Sequence, residues 1–245
     1  MTDTPTRTTI SVVTVTLNAA AHLPGLIESL RQQSDRDFVW VVFDGSSTDG
    51  TADIVRGCGL PVKLVVGKDF GIYDALNQCL AHVDTDYYLV CGADDVLYPD
   101  AIASYRKSVA QHAGPPDFVA AAVHMDGRLL APQEGRGWLF GLPGVASSHA
   151  VGLLIRTGLH AEMGWYSRKL PIAADQLFVK NALRRGAVIR RESFVAGRYH
   201  SGGTSGLDMP GMLTEAFRVQ RLTEPGKLLQ VLLFIARLLK HYRRL

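Results

Sequence analysis

Only three cysteines, Cys58, Cys79 and Cys91, occur in 245 residues, and their spacing matches no metal motif. A small odd count argues against a disulfide framework and fits a reducing compartment. Long apolar runs are also missing. The longest, Leu228 to Leu239, is interrupted by Gln230 and Arg237 and falls short of the roughly 20 residues a bilayer span needs. The opening MTDTPTRTT has no apolar h-region, so no secretory signal is expected. Net charge is nearly absent: 26 basic and 23 acidic residues leave +3, too little to imply nucleic acid. No G-x-G-x-x-G fingerprint follows the first apolar run, and there is no G-x-x-x-x-G-K-[ST], which weakens dinucleotide and P-loop readings. Internal repeats and low-complexity tracts are absent as well.

What remains is an ordinary core-forming composition, 47% apolar and 20% charged, long enough for one large α/β domain or two small ones. The charge is concentrated at one end. Residues 221–245 hold six basic side chains against Glu224, leaving 20 basic and 22 acidic residues elsewhere.

The first third alternates strand and helix. TISVVTVTL (Thr9–Leu17), DFVWVVFD (Asp37–Asp44), PVKLVVG (Pro61–Gly67) and DYYLVCG read as buried parallel strands, because they are β-branched and nearly continuous. Between them, HLPGLIESLRQQS, Thr51–Gly57 and GIYDALNQCLAHV carry helical spacing. This order predicts a doubly wound, mainly parallel sheet, whose ligands bind beyond the strands' carboxyl ends. Asp44, Asp69 and the pair Asp94–Asp95 fall at those ends. The second half is less regular. AGPPD marks a break, 131–144 reads as a long loop, Ser147–Thr157 and Ala187–Ala196 as strands, 172–185 as a helix, and HSGGTSG (His200–Gly206) as a flexible segment.

Adjacent carboxylates at a strand end suit a hard divalent cation that takes oxygen ligands; a solvated turn, with Asp95 or Asp100 capping a helix, is the structural alternative. Asp44 opens DGSSTDGT, a loop rich in turn glycines and hydroxyls, Ser46 among them, with Asp49 placed to cap the next helix. A carboxylate at Asp44 suits a hydrogen bond from a base or ribose. Asp175 by itself reads as a helix N-cap or first-turn acid that favours the helix dipole. His200, before a glycine pair, suits a metal or a diphosphate, and Arg198 suits a phosphate.

SVVTVTLNAA, VVFDGSSTDGT, DFGIYDALNQCL, YYLVCGADDVLYPDA and IAADQLFV stand in the order and spacing of family 2 glycosyltransferases, which this chain resembles over roughly residues 9–206. The bacterial polysaccharide-building members are the most similar. The resemblance implies a GT-A fold: a Rossmann-like nucleotide-sugar-binding half at 1–112 and a less regular acceptor-binding half at 113–220. Beyond it, residues 221–245 read from their own composition as a basic amphipathic helix. It also implies roles. Asp44 matches the acid that contacts the nucleotide base, and Asp69 the acid before the G-x-Y-D-A helix. Asp94–Asp95 match the metal motif, with Asp95 the direct ligand of Mn²⁺ or Mg²⁺. Gly92 and Ala93 depart from the polar residues usual before those acids, which reduces the polar groups around the diphosphate. Asp175 matches the general base, although Ala174 stands where Glu is common. His149 matches a histidine on the acceptor side.

The implied reaction is inverting transfer of a hexosyl or N-acetylhexosaminyl group from a nucleoside diphosphate, UDP being the commonest, to a hydroxyl of a glycan or lipid-linked acceptor. An ordinary aspartate, pKa about 3.9, is ionised at pH 7 and weakly basic, so proton transfer by Asp175 is expected to be late. A non-catalytic sugar-nucleotide-binding or assembly subunit and a nucleotidyltransferase remain as alternatives; the latter lacks its usual basic Gly-rich loop near the N-terminus. GKLLQVLLFIARLLKHYRRL (Gly226–Leu245) predicts an interfacial helix on anionic lipid, hence a cytoplasmic protein peripheral on the inner membrane face. Docking of that helix on the domain, or on a second copy in a homo-oligomer, is the alternative.

Overall fold

The computed structural model describes residues 7–111, 114–200, 202 and 208–244. Four parallel strands form its first half: β1 (Ile10–Thr16), β2 (Val39–Asp44), β3 (Val62–Val66) and β4 (Tyr87–Val90), paired in the order β3-β2-β1-β4. Their crossovers are α1 (Leu23–Arg31), α2 (Thr51–Arg56) and α3 (Ile72–Leu80). Burial on both faces explains the unbroken apolar runs. On one face Val12, Trp40 and Leu89 pack with Leu26 and Leu30 of α1. On the other, Val13, Val41 and Tyr88 meet Leu76 and Cys79 of α3. All three cysteines are buried and unpaired.

The sheet continues into the second half. After β5 (Val96–Leu97) and α4 (Ala101–Ala110) come β6 (Phe118–Met125) and β7 (Arg128–Leu130), then α5 (Gly137–Phe140) and β8 (Leu153–Arg156). These are followed by α6 (Leu159–Met163), α7 (Ala174–Arg184), β9 (Ile189–Tyr199), α8 (Met209–Thr223) and α9 (Lys227–His241). The full strand order is β3-β2-β1-β4-β8-β6-β9-β5, with β7 paired to β6. β8 runs antiparallel to both β4 and β6, and β9 is parallel to β6. The start of β8 and the end of β9 therefore reach the same rim as the ends of β1, β2 and β4.

Several expectations need correction. Only Leu153–Arg156 of the expected strand 147–157 is extended; Ala150–Gly152 form a tight 3-10 turn. Gly152 allows it, since a Cβ there would lie 2.0 Å from Ser147 Oγ. The loop at 131–144 contains α5 and a second 3-10 turn at Leu142–Gly144. β9 runs three residues past the expected Ala196. The basic tail is the end of α8 plus the separate α9, broken at 224–226. Apart from His200 and Gly202, the segment His200–Gly206 lies outside the described residues.

Candidate active site

A cleft of about 710 Å³ opens at the carboxyl rim, and Asp94, Asp95, His149, Asp175 and His200 all line it. Its floor comes from the ends of β1 and β4, and its far wall from α7 and the turn before β8. The sheet thus brings together residues from 94 to 200 that no local pattern connects.

Asp94 and Asp95 follow β4 in a turn closed by Asp95 N–H donating to Gly92 O at 3.1 Å. Gly92 N–H in turn donates to Asp95 Oδ2 at 2.7 Å. The carboxylates converge over that glycine, where a Cβ would lie 3.0 Å from Asp94 Oδ1 and 3.1 Å from Asp95 Oδ2. Burial pushes Asp95 up to about 7, with the Asp94 charge adding to the rise and the Gly92 N–H and His200 opposing it. A bare carboxylate pair in that setting is electrostatically unfavourable, and a cation would relieve it. Two carboxylates, with the remaining positions left to water and phosphate, match the donor set of Mg²⁺ or Mn²⁺. Among the described residues no group of three or more His, Cys, Asp or Glu forms a ready-made metal cage. The pair fits a cation held jointly with a ligand's phosphates.

His149 stands beside Asp95, with Nδ1 3.9 Å from Asp95 Oδ2, and its ring stacks on Tyr199 at 3.9 Å between centroids. Val151 N–H donates to Nδ1 at 3.4 Å, which places the ring proton on Nε2. Desolvation in the cleft lowers His149 to about 4 against the attraction of Asp175 and Asp94, so it is neutral at pH 7. His200 is exposed at the cleft mouth, its Nδ1 3.4 Å from Asp126 Oδ1.

Asp175 occupies the first turn of α7. Its Oδ1 accepts from Gln176 N–H at 2.8 Å and from the Tyr73 hydroxyl at 2.7 Å. Tyr73 also lies 3.0 Å from Ile172 O, but its single proton favours the nearer, charged oxygen. Burial raises Asp175 above the ordinary carboxylate range, although Tyr73 and Gln176 pull it down. It is therefore a stronger base than the unperturbed aspartate expected from sequence.

The other predicted residues lie apart from this group. Asp44 is fully buried; Thr16 Oγ1 donates to its Oδ1 at 2.9 Å, Ser47 Oγ to the same oxygen at 2.6 Å, and Ser47 N–H to Oδ2 at 2.9 Å. As placed it offers no surface to a base, and it organises the rim from beneath. Ser46, in the left-handed region at φ 64°, donates to Gly67 O at 3.1 Å. Asp69 accepts from Gly71 N–H at 2.8 Å and abuts Gly45, where a Cβ would lie 2.5 Å from Asp69 Oδ2. These residues adjoin the cleft through Thr16 and Leu17, which line it. Arg198 is one residue from Tyr199, whose ring faces His149. It pairs with Val96 of β5 and is not among the described residues that line the cleft. Sequence reasoning missed Tyr73, Tyr199 and Asn18. The signal for Asn18 was its place just after β1: it adopts φ 51° and accepts from Thr48 N–H at 3.0 Å, bridging two rim loops.

A cleft with acids at the carboxyl ends of a curled, mainly parallel sheet is the architecture of a GT-A glycosyltransferase. Solved structures agree. TarS residues 1–349 of S. aureus aligns with a TM-score of 0.67 at 21% identity, covering 96% of this chain and 72% of that one. The mannosyltransferase PcManGT of Pyrobaculum calidifontis, in complex with GDP-Man and Mn²⁺, gives 0.69 at 17%, covering 97% and 76%. At such identities the likeness establishes the fold. In sequence, Glycosyl transferase family 2 matches residues 11–123. A PGL/p-HBAD biosynthesis glycosyltransferase of Mycobacterium bovis is 30% identical over 205 residues, covering 80% of this chain and 78% of that protein. The chain belongs to glycosyl transferase family 2, whose members transfer sugar from nucleotide donors in glycan biosynthesis.

Proposed function

We propose that this chain is an inverting, divalent-cation-dependent glycosyltransferase acting on a hydroxyl acceptor, with Asp175 as its base. The observation carrying this reading is the meeting of Asp175 with Asp94 and Asp95 in one cleft. In the reaction the bond from the anomeric carbon to the diphosphate oxygen breaks and a bond from that carbon to the acceptor oxygen forms. The acceptor proton passes to Asp175, and the nucleoside diphosphate leaves with the bonding pair. Asp175 Oδ1 is held by Tyr73 and Gln176, which leaves Oδ2 to face the acceptor. One base opposite the leaving group gives inversion at the anomeric carbon.

Asp95, with Asp94 beside it, would hold Mn²⁺ or Mg²⁺, and the bound cation would supply Lewis-acid stabilisation of the departing diphosphate. Neutral His149 with its Nε2–H, steadied by Tyr199, is a donor on the acceptor side. Ser46 and Asp69 flank the donor's nucleoside end, where Asp44 acts through Ser47 and Thr16. UDP is the favoured donor nucleotide: TarS has been crystallised with UDP-GlcNAc, and the M. tuberculosis glucosyl-3-phosphoglycerate synthase, 18% identical here, with Mg²⁺ and UDP. A hexosyl or N-acetylhexosaminyl group, polysaccharide or glycolipid assembly, and a site of action on the inner membrane face complete the reading.

Thermal-shift screening against UDP-, GDP- and dTDP-sugars with and without Mn²⁺ tests the donor side. A Mn²⁺-dependent rise with one of them is expected, and no response to any would reject it. Asp175→Asn should keep that donor response and lose transfer by roughly a hundredfold to ten-thousandfold. Near-normal turnover in that variant would remove Asp175 from the mechanism.

A further inference from the structure

A second cavity of about 450 Å³ lies between α8, α9 and the chain at 139–143. Three residues, Pro143, Gln176 and Met212, line both this cavity and the acid-lined cleft. Gln176 is the immediate neighbour of Asp175 on α7, so the two spaces adjoin beside the base. The second cavity is walled mainly by apolar side chains, among them Phe140, Leu213, Ala216, Leu233 and Ala236. Phe140 is half exposed. Arg237 and Lys240 also line the cavity, and no carboxylate does. Arg237 donates to Leu139 O, and burial lowers its pKa.

A free sugar would gain nothing from such a wall. An acceptor placing its hydroxyl at Asp175 must send the rest of its structure somewhere, and this groove begins at Gln176 and Met212, which also line the cleft. We propose that the groove receives the apolar aglycone of the acceptor, so that the preferred substrate class is a glycoside or alcohol with an alkyl, aryl or isoprenoid tail. This rests on the assignment of Asp175 to the acceptor side. Adjacency to the cleft argues for this occupant over an unrelated peptide, and Arg237 and Lys240 would accommodate an anionic linkage on the same tail.

Direct binding tests it without requiring the natural acceptor. Octyl glucoside, kept below its micellar concentration, is compared with methyl glucoside by titration calorimetry on the full chain in the presence of the best-binding UDP-sugar. The octyl compound should bind saturably and about tenfold tighter or more, because several methylenes leave water. Ala236→Trp and Ala216→Trp fill the groove from α9 and α8 respectively, and each should remove that advantage while leaving the sugar-nucleotide thermal shift unchanged. Equal binding of the two glucosides, or an octyl advantage that survives in both variants, would overturn the proposal. Sugar nucleotides failing to stabilise the wild-type protein would instead reject the transfer reading. An octyl advantage lost in both variants would then still place an apolar ligand in the groove.

Discussion

Asp175 has one oxygen engaged and one to spare, and that asymmetry decides how it works. Tyr73 and the Gln176 N–H both hold Oδ1. A charge-assisted hydrogen bond contributes about 1.5–3 kcal/mol, so Tyr73→Phe should lower kcat by about tenfold while leaving KM for the donor unchanged. Because Tyr73 lowers the pKa of Asp175, its loss should also move the acid limb of the kcat/KM profile to higher pH. A residue that merely filled space would leave that limb where it was. At the other side of the cleft, Asp95→Ala should abolish the Mn²⁺-dependent part of sugar-nucleotide binding; equal affinities with and without EDTA in the wild type would contradict the role given to Asp95. Tyr73 illustrates what the sequence withholds. It stood inside a quoted motif, yet its partner is 102 residues away, and no local period reports such a contact. Asp44 illustrates the converse: its position was legible, but its burial beneath Ser47 was not, because only the folded loop reveals which side of the carboxylate faces in.

Elements follow the same division. The first four strands were readable because strands buried on both faces must be continuously apolar and must end in turn residues. β5 has two residues and β7 three, too short for any period to register, whereas β8 was read as a strand but with bounds too wide. β6 is alanine-rich (FVAAAVHM), a composition that favours helix over strand until β8 and β9 pair with it on either side. Tight packing at this edge predicts sensitivity. A Cβ on Gly197 would lie 2.3 Å from Val96 O, so Gly197→Ala must displace backbone where β5 meets β9. A loss of roughly 1–3 kcal/mol is expected in a urea titration. Beneath the acceptor side, His160 bonds the Tyr88 hydroxyl at 2.8 Å and stacks on Phe178, and burial holds its pKa below the ordinary 6.5. The unfolded chain therefore binds a proton near pH 6.5 that the folded chain refuses. This group's contribution is complete above pH 6.5 and declines as pH falls through that value towards the depressed folded pKa. Asp95 and Asp175, with raised pKa values, act in the opposite sense, so the His160 share is read by difference: the thermal midpoint of His160→Gln relative to wild type should rise as pH is lowered from 7 to 5.

At the scale of the whole molecule, α9 faces two ways. One side is seated on the domain: Gln230 donates to Trp138 O at 2.9 Å, Arg237 to Leu139 O, and Phe234 stacks on Phe217 of α8 at 4.4 Å. On the other side Leu228, Leu232, Ile235, Leu239 and Tyr242 form a stripe, each between 48% and 75% exposed. Among the described residues no helix is long and apolar enough to cross a membrane. A contiguous apolar stripe of this length suits a docking surface. A second copy would be a poor one. Residues 225–245 contain five basic side chains and no acid, and pairing two such helices sets like charges together. Anionic lipid would meet both the stripe and the cations, and would present a tailed acceptor to the groove on the same helix. The chain should sediment with vesicles of phosphatidylcholine containing phosphatidylglycerol, less with phosphatidylcholine alone, and less as salt rises. A Leu232→Glu, Ile235→Glu double variant should stay in the supernatant with its sugar-nucleotide response intact, since neither residue lines the cleft. Equal pelleting of both proteins would remove the membrane from this account. So would a dimer in light scattering that dissociates in the variant while the wild type ignores vesicles, because the stripe would then be an interface between copies.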